Sequence, residues 1–172
     1  MDPSRERLFF ALWPDESTRA AIARWQQEWD WPSRAGPAKP ERLHLTLHFL
    51  GDVEVTHLPG LVQAMQAVPF APFDLQLGKS EVWPNGVAVL VPTTVPHELG
   101  ELHAAMSEQL RALSLPVEER PYRPHVTLAR RAFGAVPASN PPLRWRANDG
   151  FVLVRSLPGG AGYQILNRFG PA

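Results

Sequence analysis

Leu43-His44-Leu45-Thr46-Leu47 and, further on, Pro124-His125-Val126-Thr127-Leu128 carry the same phrase, His-x-Thr-Leu, at positions 81 apart. In a chain of this composition random placement would give about 0.03 such matches, so two copies point to a shared design. Each copy lies in a short apolar run with strand character. Alternate side chains of a strand share a face, so His44 and Thr46 point one way while Leu45 and Leu47 point into the core. His125 and Thr127 repeat the arrangement, with Val126 and Leu128 behind them.

Outward from the motifs, the spacing of apolar residues predicts two matching units. Leu8 to Trp13 reads as a buried strand, and Pro14-Asp15-Glu16 as a helix start whose helix carries Ile22, Trp25 and Trp29 on one face. Trp31 to Pro40 is a loop, and Leu43 to Leu50 a strand stopped by Gly51-Asp52. A second helix carries Val55, Leu58, Val62 and Met65. Strands follow at Phe73 to Leu77 and Val87 to Val91, joined by a turn at Pro84-Asn85-Gly86. Pro96 opens a third helix with the stripe Leu99, Leu102, Met106, Leu110 and Leu113. His125 to Ala129 is a strand, Phe133 to Pro142 a loop, and Phe151 to Val154 and Gln164 to Phe169 close the chain around a turn near Gly159.

Strand, helix, loop and His-x-Thr strand thus occur twice, with Phe9 and Val89 as matching points 35 and 36 residues before the histidines. A duplicated β-α-β unit predicts two related halves, in one compact domain or two small lobes sharing a core. Their pseudo-two-fold axis should run through a cleft where the motifs meet.

Composition narrows the chemistry. With no cysteine, disulfides, zinc-thiolate sites and thiolate nucleophiles are excluded. The apolar run at the N-terminus is too short for a signal sequence or a membrane span, and the reading is a soluble, cytoplasmic protein. Zero net charge argues against coating long nucleic acids. Arginine far outnumbers lysine, which base composition of the gene explains, yet four arginines and no acid fall between Arg120 and Arg131, around the second motif.

Two histidines near neutrality can divide phosphodiester cleavage, one taking a proton from water and the other protonating the leaving oxygen. The threonine hydroxyls can donate to the non-bridging oxygens. No metal is required. His48 shares the predicted face of His44, but residues four apart on a strand are separated by about 13 Å, too far to share one ion. His48 is expected at the cleft rim or surface. His57, His97 and His103 read as ordinary surface or core residues.

The segments Leu43 to Val53 and Arg120 to Arg130, with Arg7 to Leu12 and Phe151 to Ser156 as end strands, resemble the two-histidine (2H) phosphoesterases. Within them the similarity is to the RNA 2′,3′-cyclic phosphodiesterases of the LigT/ThpR type, also called 2′-5′ RNA ligases. The resemblance implies an α+β fold, one bilobal domain over residues 1–172 with two antiparallel sheets facing across a cleft, no metal or other cofactor, and hydrolysis of RNA 2′,3′-cyclic phosphate ends to 2′-phosphates. It implies His44 as proton donor to O3′, His125 as the base for water, and Thr46 and Thr127 as phosphate holders. Arg130 matches a position often basic in the family, and Phe49 and Tyr122 are candidates for contacting a base. His48 departs from the family, where relatives often carry lysine. The same site run backwards would join RNA ends through a 2′-5′ linkage, and a non-catalytic RNA-end-binding module is the third reading. Partners are RNA ends or nucleotides with a 2′,3′-cyclic phosphate, with no membrane, and the protein is expected to be a monomer.

Overall fold

The computed structural model describes residues 4–171; Met1 to Pro3 and Ala172 lie outside the described residues. β1 (Arg5–Leu12) sends Leu8, Phe10 and Leu12 into the main core, while Phe9 and Ala11 join Val152 and Val154 in a smaller apolar cluster. α1 (Glu16–Gln27) begins where the sequence places it. Asp15 caps it, with Oδ1 accepting the Thr18 amide at 2.8 Å, and hydrogen bonds from Thr18 hold the Asp15 carboxyl below its ordinary range. Ile22, Trp25 and Trp29 are buried as predicted.

β2 (Gly36–Pro37) is a short strand inside the predicted loop. β3 (Leu45–Glu54) is followed by α2 (Leu58–Gln66), which buries Leu61 and Met65, so its inward face is rotated from the predicted stripe. β4 (Phe73–Val82) and β5 (Ala88–Pro92) form a hairpin whose turn contains Gly86 at φ +84°. α3 (His97–Ala112) buries Leu99, Leu102, Met106 and Leu110. β6 (Val126–Arg130), β7 (Leu143–Ala147), β8 (Phe151–Ser156) and β9 (Tyr163–Phe169) complete the chain.

All strand pairings are antiparallel, in the order β7-β4-β5-β6-β3-β1-β8-β9, with β2 on β6. The two expected antiparallel halves are therefore edge-to-edge parts of one path, β9-β8-β1-β3 and β6-β5-β4-β7. They touch through one backbone pairing, Leu45 with Val126. The helices interlock the halves. α1 leaves β1 but bonds to the other half: the Trp25 indole N–H donates to Ser80 Oγ of β4 at 2.9 Å, and Gln26 Nε2 donates to the Leu128 carbonyl of β6 at 2.7 Å. α3 follows β5 but packs on the first half, where its His103 carbonyl accepts from His48 Nε2 of β3 at 3.1 Å.

The register aligns the halves in detail. Ala11 pairs with Thr46 and Leu12 with Leu45; in the second half Val89 pairs with Thr127 and Leu90 with Val126. Ala11, not Phe9, is thus the counterpart of Val89. The register then shifts at the same place in both halves, between Phe10 and Ala11 and between Ala88 and Val89. Each shift is a β-bulge at the leucine of the motif, Leu47 or Leu128, which stands unpaired between its neighbours. Beyond each bulge the alternation breaks: Leu47 and His48 are both buried, as are Leu128 and Ala129. A second shift opposite Leu8 and Phe9 lets β3 run through Gly51, at φ +74°, where the sequence predicts a stop.

Candidate active site

Extending the Leu45–Val126 pairing by one residue each way sets His44 opposite Thr127 and Thr46 opposite His125. The four polar groups lie on the face away from Leu45 and Val126, which are fully buried. His44 and His125 each stand immediately before their strands rather than within them. That position gives each ring a local partner. His44 Nδ1 lies 2.7 Å from the Arg42 carbonyl oxygen, and His125 Nδ1 lies 2.8 Å from that of Arg123. A carbonyl only accepts, so in both rings Nδ1 carries the proton and Nε2 is the nitrogen left for chemistry. In the second ring, Nε2 has no hydrogen-bond partner among the described residues. In the first, it lies 3.0 Å from Thr46 Oγ1, whose hydroxyl donates to it while the ring is neutral.

The surroundings of the two rings differ. Phe9 stacks on His44 at 4.9 Å between centroids and Trp13 at 5.4 Å, while Tyr163 meets it edge-on at 5.4 Å. This crowding by aromatic carbon lowers the His44 pKa to about 4, with the positive charges of His125 and Arg130 adding to the effect and the Arg42 carbonyl opposing it. His125 has one aromatic neighbour, Trp83, at 4.5 Å. Its pKa is also lowered, first by desolvation and then by the charges of Arg123 and Arg130, against the Arg123 carbonyl.

Both histidines and both threonines line one open cleft of about 1080 Å³. Arg7, Lys39, Arg42, Arg120, Arg123 and Arg130 also line it, against Glu118 as the acid on its wall. A chain of zero net charge therefore presents a basic cleft suited to an anion. Arg130, at the exposed end of β6, and Phe49, 48% exposed with the Arg7 guanidinium 4.9 Å from its ring centre, both reach this cleft. Tyr122 also borders it but is tied inward. Its hydroxyl donates to the Thr46 carbonyl at 2.8 Å, and His103 stacks on its ring at 3.9 Å.

His48 lines the cleft, as expected of a rim residue, but it is buried rather than at the surface. It follows the bulge at Leu47 and is 5% exposed, stacked on His103 at 4.0 Å and beside Ser107. His103, half-buried, is part of this stack and also lines the cleft. The side chains that motif reading misses are Trp83, Trp13 and Tyr163. Nothing local marks them, although Trp83 does stand at the predicted Pro84-Asn85-Gly86 turn. Among the described residues no group of three or more His, Asp or Glu is placed to hold a metal ion, and no helix is long and apolar enough to cross a membrane.

A family model described as LigT like Phosphoesterase matches residues 12–89. The RNA 2′,3′-cyclic phosphodiesterase of Thermus thermophilus is 34% identical over 178 residues, spanning 95% of this chain and 89% of that protein. The crystal structure of Escherichia coli LigT in apo form superposes with a TM-score of 0.84 at 29% identity, covering 96% of this chain and 97% of the other. The same protein complexed with 3′-AMP gives 0.82 at 28% identity, with the same coverage.

Proposed function

Since the chain belongs to the LigT-like phosphoesterase family, we propose that it hydrolyses RNA 2′,3′-cyclic phosphate ends to 2′-phosphate ends by two-histidine acid–base catalysis. The observation that carries this reading is the crossed arrangement of His44 with Thr127 and Thr46 with His125 on one face of a basic cleft. Relatives that act on, or are seen with, nucleotides bearing phosphate at these positions support the substrate class.

His125 Nε2, unprotonated in the neutral ring, takes a proton from water as the water oxygen attacks phosphorus. The P–O3′ bond breaks, and O3′ takes the proton held on His44 Nε2. The products are a 2′-phosphate and a free 3′-hydroxyl, and the two imidazoles end with their protonation exchanged. Thr46 and Thr127 donate hydrogen bonds to the non-bridging oxygens as charge builds there. Arg130 adds positive charge near that phosphate. Phe49 offers an exposed ring to the RNA. Tyr122 serves from behind, holding the Thr46 backbone in place.

With its pKa near 4, His44 is neutral at pH 7 in the free protein and its ring accepts from Thr46. The cyclic phosphate brings a negative charge that favours the imidazolium. As it binds, Thr46 turns its hydroxyl from His44 to the phosphate, and His44 gains the proton it later donates. Both histidines and both threonines come from one chain, which supports action as a monomer. An RNA-end substrate supports a cytoplasmic location.

Purified protein should open 2′,3′-cyclic AMP in excess EDTA, with phosphorus NMR showing a 2′-phosphate. A 3′-phosphate product would overturn the assignment of O3′ as leaving group, and no product at all would overturn the hydrolase reading.

A further inference from the structure

We propose that Trp83, with the Arg123 guanidinium lying on it, is the platform on which the terminal nucleobase stacks, and that this placement selects O3′ as the leaving oxygen. The inference rests on the cyclic-phosphate reading of the site and extends it to what orients the nucleotide.

With phosphate held between the two histidines, the base must extend toward one end of the cleft. At the His44 end the faces of Phe9 and Trp13 are already used, which leaves Tyr163, 36% exposed. Phe9 is 4% exposed, Phe9 and Trp13 lay their faces on His44, and Tyr163 packs edge-on against all three rings. The His125 end is different. Trp83 stands in the turn between β4 and β5, half-buried in the cleft wall. It meets His125 at 62°, and its indole N–H points to the Glu81 carboxylate at 3.3 Å, which fixes the plane of the ring. Arg123 Cζ lies 4.4 Å from the ring centre. Indole and guanidinium are the planar surfaces that unstacked bases pack on, and stacking serves any base.

The covalent structure of the nucleotide links this platform to the product. The base is carried on C1′, next to C2′, so O2′ lies on the base side of the ribose and O3′ on the other. A base on Trp83 therefore turns O2′ toward His125 and O3′ toward His44, the proton donor of the proposed mechanism.

The test compares wild type with Trp83→Ala and Trp83→Phe on 2′,3′-cyclic AMP and on a base-free ribose 2′,3′-cyclic phosphate. Trp83→Ala should lower the preference for the nucleotide about tenfold through KM, within the range for one lost base stack. It should also release some 3′-phosphate, and Trp83→Phe should restore both. Calorimetric binding of 2′-AMP and of inorganic phosphate reads the platform without turnover: the ratio of the two affinities should fall about tenfold in Trp83→Ala. The proposal is overturned if both ligands weaken together, which would make Trp83 a support for His125, or if the product stays purely 2′-phosphate with the preference intact. A wild-type enzyme inactive on both substrates would sink the hydrolase reading alone, since the affinity ratio still decides whether Trp83 holds the base.

Discussion

Leu45 and Val126 are antiparallel backbone partners, and this single pairing joins the two halves of the sheet. It also crosses the motifs, so that each histidine faces the threonine of the other copy. In the proposed mechanism neither copy is a complete site, because the phosphate is held by residues from both strands.

His44→Ala and His125→Ala should each lower turnover of 2′,3′-cyclic AMP by about 10²-fold or more, the range for loss of a general acid or base. The double variant should be little worse than either single one, because the two groups act on one transition state. Single variants that keep turnover within a few fold of wild type would remove the histidines from the mechanism.

Binding should take up protons. His44, with a pKa near 4, is neutral at pH 7 in the free protein, and the proposed mechanism has it charged in the complex. Near pH 7, binding of 2′,3′-cyclic AMP to the turnover-deficient His125→Ala variant should draw a proton from solution. Affinity should fall as pH rises, because the proton becomes scarcer. Calorimetry in buffers of different ionisation enthalpy measures the uptake directly. A buffer-independent heat would show that His44 does not change protonation on binding.

Stability should decline as pH falls from about 6.5 to 4. His103, stacked between His48 and Tyr122, has its pKa lowered to about 4, chiefly by burial and then by the charges of His48 and Arg111, against a hydrogen bond to the Leu47 carbonyl. Its unfolded value is 6.5, so within this window the unfolded chain binds more protons than the folded one. The stabilisation of the folded state is therefore complete above pH 6.5 and lost progressively below it. His44 contributes in the same direction. His103→Asn should flatten the slope of Tm against pH, and an unchanged slope would exclude His103 as its source.

Tyr122→Phe keeps the ring against His103 but removes the hydroxyl that donates to the Thr46 carbonyl at 2.8 Å. Loss of one such bond should reduce stability by about 1 kcal/mol. Turnover should fall several-fold through kcat, since Thr46 is then held less firmly, with little change in KM. A change confined to KM would instead make Tyr122 a direct contact for substrate.

Much of the site is written in short-range pattern. His44 with Thr46, and His125 with Thr127, share a face because alternation along a strand is a property of two neighbouring residues. α1 and α3 are legible for a similar reason: Pro14-Asp15 and Pro96 mark their starts, and their apolar stripes recur at helical spacing. β7 is not, being a short Leu143–Ala147 run at the far edge of the sheet, where propensity is weak and pairing with β4 decides.

His48 shows where local pattern stops short: the motif places it at the cleft but does not reveal that it is buried. Its face depends on the bulge at Leu47, which arises from how β3 pairs with β1, a strand far away in sequence. The same holds for the site as a whole. Repetition of His-x-Thr-Leu, readable in the chain alone, marks the candidate groups and shows that they come as a pair. Which threonine faces which histidine, why three aromatic rings crowd His44 while His125 has Trp83, and how a neutral chain builds a basic cleft are settled only by the folded sheet. Pairing register, bulges and packing are contacts between distant segments, and the free energy that selects among them exists only when those segments meet.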